Sequence, residues 1–148
     1  MNSINLKLTT EKDIPIFLEI EKSLGDFKFY SRMDDKNEAR NEFKKNIVHL
    51  IQMDNEIVGI VEYEIKNKDH AYLSGLIINP KFQGKGVRKE VMNQVMEKLK
   101  FFKRVDLVTH PENIKALNLY KSFGFVFESR IENYFGNGEP RVVLVRKN

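Results

Sequence analysis

Ile4, Leu6 and Leu8 alternate with polar neighbours, which predicts a short half-buried strand. Thr9 or Thr10 then caps a helix whose first turn carries Glu11 and Asp13, with Pro15 near its start. Ile14, Phe17, Leu18 and Glu21 continue it at helical spacing toward Gly25. The next ten residues are aromatic-rich and irregular, with Phe27, Phe29, Tyr30 and Met33. Asp34 or Asp35 starts a second, polar helix that runs through Ala39 and Phe43 to about Asn46. Residues 47–53 and 56–66 read as the arms of a hairpin turned at Asp54-Asn55, and residues 70–78 as a further strand. A loop rich in glycine follows at 83–86. An amphipathic helix then runs from Val87 to about Phe102, with Val91, Val95 and Leu99 on one face. Residues 105–109 form a short strand and 113–123 a helix stopped by Gly124. Residues 125–131 and 141–146 close the chain as a hairpin around Gly136-Asn137-Gly138. No repeat, linker or low-complexity tract interrupts this order, so residues 1–148 read as one domain.

Composition narrows the chemistry. Hydrophobic residues make up 41% and charged residues 31%, a globular balance. The net charge of +4 is scattered, since acidic residues interrupt nearly every basic run. A nucleic-acid binder gathers its Lys and Arg into a stripe, so none is expected as a partner. With no cysteine, disulfides, thiol nucleophiles and Cys-based zinc sites are ruled out. No apolar run reaches membrane-spanning length. A cytoplasmic protein without membrane partner or metal is expected.

The strongest chemical signal is the stretch Leu76, Ile77, Ile78, Asn79, Pro80, Lys81, Phe82, Gln83, Gly84, Lys85, Gly86, Val87, Arg88. A buried strand there enters a two-glycine loop and then a helix. Such a loop aims backbone N–H groups at one point, where the helix dipole adds positive charge. Glycine lets a phosphate approach the backbone without meeting a Cβ. A P-loop needs Ser or Thr after the lysine, whereas Gly86 follows Lys85, and the dinucleotide spacing is absent. The plain alternative is an ordinary strand-to-helix connection.

This loop resembles the acetyl-CoA loop of the GNAT N-acetyltransferase superfamily, Gln/Arg-x-x-Gly-x-Gly/Ala, at Gln83 and Gly86. A second segment is similar too: Asn113, Ala116, Leu119-Tyr120 and Gly124-Phe125 follow in the family's order. The resemblance implies a mixed α/β fold, with a mainly antiparallel sheet of about six to seven strands and about four helices. It also implies acetyl-CoA as co-substrate, acetyl transfer to a primary amine by direct attack, and a gap between the strands at 70–78 and 105–109. Backbone groups of Leu76, Ile77 and Ile78 would pair with pantetheine, and Gln83, Gly84, Lys85, Gly86, Val87 and Arg88 would hold the pyrophosphate. Asn113 would bond the pantetheine arm, Tyr120 would act as general acid at the sulfur, and an N–H near Ile78, at a strand bulge, would meet the oxyanion.

The family's last loop position is Gly or Ala, and here it is Arg88. Its guanidinium either adds a charge-assisted contact to the pyrophosphate or crowds the ligand. The strand glutamate some members use as base corresponds here to Tyr72. Glu64 is taken as the base, with Glu62, His70, His110 or a water as alternatives; His49 reads as structural. The acceptor would be a small-molecule, polyamine or protein amine, walled by Phe27, Phe29, Tyr30, Met33, Tyr134, Phe135 and Glu139. A homodimer is left open. The rival reading of the same fold is an acyl-CoA sensor or docking module without catalysis.

Overall fold

The computed structural model describes residues 3–24, 29, 33 and 35–148. Seven strands form one sheet: β1 (Ile4–Leu8), β2 (Ile47–Met53), β3 (Glu56–Asn67), β4 (His70–Ile78), β5 (Arg104–Thr109), β6 (Val126–Ile131) and β7 (Arg141–Lys147). Their order is β1-β2-β3-β4-β5-β7-β6, and every pairing is antiparallel except β4 with β5. The helices are α1 (Ile14–Ser23), α2 (Lys36–Lys45), α3 (Val87–Lys98) and α4 (Ile114–Ser122). Thr10 caps a 3-10 turn at Glu11–Asp13 through a capping box, and this turn feeds α1. Asp35 caps α2. Asp54 and Asn55 both take positive φ, which matches a hairpin turn whose twist follows that of β2 and β3. The sequence-predicted helix to Phe102 stops earlier, with Leu99 as its C-cap.

Strand alternation divides the core between the sheet's two faces. Val48, Leu50 and Ile60 pack on one face under Ile14, Phe17, Ile20 and Ala39 of α1 and α2. Phe43 meets Phe17 edge-on at 5.2 Å there. Ile51, Val61, Leu73, Val105 and Leu144 pack with Val91, Met92 and Val95 of α3 and its C-cap Leu99 on the other. α4 joins this second face with Ala116 and Tyr120. Together these layers place two strand ends, two helix N-termini and the α1–α2 pair around the middle of the sheet.

Candidate active site

Only three residue pairs join β4 to β5: His70–Arg104, Ala71–Val105 and Tyr72–Asp106. Beyond them the strands part, as the resemblance implies, and a cleft of about 620 Å³ opens. The β4 backbone from Leu73 to Ile78 therefore presents its β5 side without a strand partner. An extended amide-bearing chain fits such an edge by strand addition.

The strand ends at Asn79, whose side chain accepts from Lys81 N and shapes a 3-10 turn at Pro80–Phe82. Gln83 Nε2 donates to Ile78 O at 3.2 Å and pins the loop to the strand end. Gly84 and Gly86 take φ of +79° and +77°, which favours glycine, and a Cβ at either would meet nothing within 4 Å. The space above the loop is open to a ligand. Gly86 is the N-cap of α3 and offers no side chain to its first N–H groups. Those donors point at the loop and carry the dipole's positive end. The loop thus has the donors and the room that a diphosphate needs.

Arg88 extends toward the β4 edge. Its Nη1 donates to Leu76 O at 3.2 Å, so the guanidinium reaches across the cleft to the β4 backbone. Asn113 caps α4, its Oδ1 accepting from Ala116 N at 3.3 Å. Tyr120 lines the cleft together with Leu76, Ile77, Arg88 and Asn113, and its ring meets Phe125 at 5.9 Å. The cleft thus brings Leu76, Ile77 and Arg88 together with Asn113 and Tyr120, whereas Ile78 and Gln83, Gly84, Lys85, Gly86 and Val87 lie outside its lining.

The strand bulge lies elsewhere than expected. Glu62 pairs with Gly75 and Tyr63 with Leu73, leaving Ser74 as the extra residue, four positions before Ile78. The break in pairing coincides with the parting of β4 from β5, and a glycine at its edge lets the strand bend.

The cleft is also lined by charged and aromatic residues. Glu21, Glu42, Glu62, Glu64 and Asp106 line it with Lys45, Lys66 and Arg141, and with Phe29, Met33, Tyr72, Tyr134 and Phe135. Phe27 and Tyr30 lie outside the described residues. Burial raises Glu62 well above the usual carboxylate range, and the carboxylates of Glu42 and Glu21 push it further, against the pull of Lys45. Burial likewise raises the Tyr72 phenol, and contact with Tyr134 adds to it.

The sequence-predicted bases fare differently. Glu64 is held by Lys66 at 3.2 Å and Lys45 at 3.7 Å. His70 Nε2 sits 2.8 Å from Asp106 Oδ1, and Asp106 is gripped in turn by Arg104. Both nitrogens of the buried His110 are engaged: Nδ1 accepts from Glu112 N, so the ring proton stands on Nε2, 2.8 Å from Glu139 Oε1. Glu139 is thus occupied by His110. His49 is buried beside Tyr63 and serves the core. Sequence reasoning missed Glu42, Asn46, Ser74 and Gly75. A glycine inside an apolar strand was the available signal for the bulge.

Residues 17–125 match a family described as the Acetyltransferase (GNAT) family. A spermine/spermidine N(1)-acetyltransferase of Bacillus subtilis (strain 168) is 26% identical over 151 residues, covering 95% of this chain and 97% of its own. The ribosomal-protein-S18-alanine N-acetyltransferase of Escherichia coli superposes with a TM-score of 0.82 at 19% identity, covering 99% of this chain and 94% of its own. An Elizabethkingia anophelis GNAT family acetyltransferase with acetyl-CoA bound gives 0.77 at 20% identity, covering 99% and 98%.

Proposed function

Because the chain belongs to the GNAT acetyltransferase family, whose members draw on acetyl-CoA, we propose that its acceptor is the terminal amine of a linear polycationic alkylamine. The enzyme transfers acetyl from acetyl-CoA to a primary amine; the substrate class is the new part. One observation carries it: Glu21, Glu42 and Glu62 gather in the cleft lining, beside Glu64, which Lys45 and Lys66 hold, and Asp106, which Arg104 holds. A cationic amine finds carboxylates to pair with there, and a polyamine can engage more than one of them. Aromatic faces at Tyr72, Tyr134 and Phe135 suit both the methylene chain and its cations. The likeness to a spermine/spermidine acetyltransferase over nearly the whole chain supports the same reading.

Each residue then has a task in this proposal. Leu76, Ile77 and Ile78 pair through their backbone with the pantetheine arm. Residues 83–88 receive the diphosphate, and the bound co-substrate supplies an activated acyl carbonyl. Asn113 adds a bond to the arm, while Tyr120 donates a proton to the departing sulfur. Backbone N–H groups beside the Ser74 bulge stabilise the oxyanion. A cytoplasmic setting and a homodimer belong to the same proposal, and gel filtration tests the dimer.

Initial rates of thiol release with a monoamine, a diamine and a triamine, at constant ionic strength, test the acceptor class. The KM is expected to fall with each added positive charge. Equal KM values along the series would refute it.

A further inference from the structure

Glu62 on β3 is 8% exposed, and its Oε2 has no hydrogen-bond partner among the described residues. Unpartnered charge in such a place costs far more than a surface carboxylate, so the site calls for a proton or a cation. The surroundings show how the group is held. Its ladder partner is Gly75, next to the bulge. A Cβ at position 75 would stand 3.1 Å from Glu62 Cγ and 3.2 Å from Oε1. The glycine therefore makes room for the carboxyl to lie over the bulge, where β4 leaves β5.

A hydrogen-bonded chain links the same bulge to a second carboxyl. The Ser74 hydroxyl donates to Asn46 Oδ1. This fixes the Asn46 amide, whose Nδ2 donates to Glu42 Oε2 at 3.0 Å. Glu42 in turn lies within hydrogen-bonding reach of Glu62. Two carboxyl groups hydrogen-bond to each other only when a proton stands between them. Asn46 orients the Glu42 carboxylate by donating to it, and burial favours the proton on Glu62. The other charged groups facing Glu62 are Glu21 from α1 and Lys45 from α2, and Lys45 is also paired with Glu64. Glu64, His70 and His110 have partners of their own.

We propose that Glu62 is the general base of the acetyl transfer, and that Glu42, oriented by Asn46 and Ser74, is its positioning partner. The inference rests on the amine-acceptor reading above. The incoming ammonium group docks against the single negative charge of the pair. The pair's proton shifts to Glu42, and Glu62 takes one proton from the ammonium. The freed nitrogen lone pair forms the bond to the acetyl carbonyl carbon, and the carbon–sulfur bond breaks. The nitrogen's second proton balances the one that Tyr120 delivers to the sulfur. Products are the N-acetylated amine, free thiol and one proton, which the pair returns to solvent.

The test is the pH dependence of turnover in Glu62→Gln, Glu64→Gln and wild type, each with acetyl-CoA and a triamine. Glu62→Gln is expected to lower kcat by about 10²–10⁴-fold and to remove the limb on which kcat/KM rises with pH. Glu64→Gln should act chiefly on KM for the amine. Gln is nearly isosteric with the protonated carboxyl, so the variant should fold, and an unchanged thermal shift on adding acetyl-CoA checks this. Gly75→Ala is the second variant, because its methyl group pushes on the Glu62 side chain at 3.1–3.2 Å; a lower kcat with cofactor binding retained is expected. A Glu62→Gln enzyme with wild-type kcat and the same pH limb would overturn the assignment while leaving the acceptor reading intact. A wild type that turns over no amine would overturn both.

Discussion

Gly59→Ala should be the most damaging single methyl in the sheet. Gly59 sits in β3 opposite Ile78, and a Cβ there would stand 2.2 Å from the Ile77 carbonyl oxygen. Ordinary contact begins near 3.4 Å, so β3 and β4 must separate by more than 1 Å locally. Side chains cannot absorb the change, because the clash is with backbone. Ile51 and Ile78 also approach at 3.2 and 3.0 Å, and both are fully buried. Overpacking a well-filled core costs about 1–3 kcal/mol, and a backbone collision belongs near the upper end. The better strand preference of alanine offsets about 1 kcal/mol at most. A net loss of about 2 kcal/mol corresponds to a Tm lowered by roughly 4–8 °C in a chain this size. Ile77 and Ile78 are also the proposed pantetheine edge, so affinity for acetyl-CoA should fall along with Tm. Thermal melts with and without acetyl-CoA read both effects. An unchanged Tm and an unchanged ligand shift would refute the packing argument.

Tyr120→Phe should reduce kcat by about 10²-fold or more while calorimetric affinity for acetyl-CoA is kept; an unaltered rate would remove its acid role. Arg88→Ala removes a positive charge and the hydrogen bond to Leu76 O at the cleft, and roughly tenfold weaker acetyl-CoA binding is expected by calorimetry. Tighter binding in that variant would mean the guanidinium obstructs the cleft. Glu62 also sets a pH dependence of stability. Its folded-state pKa lies well above the ordinary 4.5, so its contribution is complete below that value and is lost as pH rises through the raised pKa. Melting curves of wild type and Glu62→Gln should therefore converge in acid, with the variant the more stable once pH has risen past the raised pKa. Parallel curves at all pH values would contradict the buried-carboxyl reading.

Most elements were legible because their signals are local. Alternation placed β1, the Asp54-Asn55 turn defined the hairpin, and Asn79-Pro80 ended β4. Leu76, Ile77 and Arg88 share one cleft with Asn113 and Tyr120, since strand, loop and helix are joined by short connections. The choice between Glu62 and Glu64 was not legible. Both lie on one face of β3 by alternation, yet α1 and α2 bury only the first, and lysines claim the second. That distinction is tertiary. Asn46 likewise reads as a helix terminus, and only the fold brings it to Ser74. Arg88 shows the same limit, because its partner is twelve residues away on another element.

The central claim, transfer of acetyl to a polycationic amine in the acid-lined cleft, is tested most directly by competition. Acetyl-CoA is supplied to the enzyme with an equimolar mixture of spermidine, a simple monoamine and a peptide bearing a free N-terminus, and the products are identified by mass spectrometry. Acetylated spermidine should form first and account for the thiol released. Acetylated peptide with spermidine untouched, or thiol released with no acetylated amine, would contradict it.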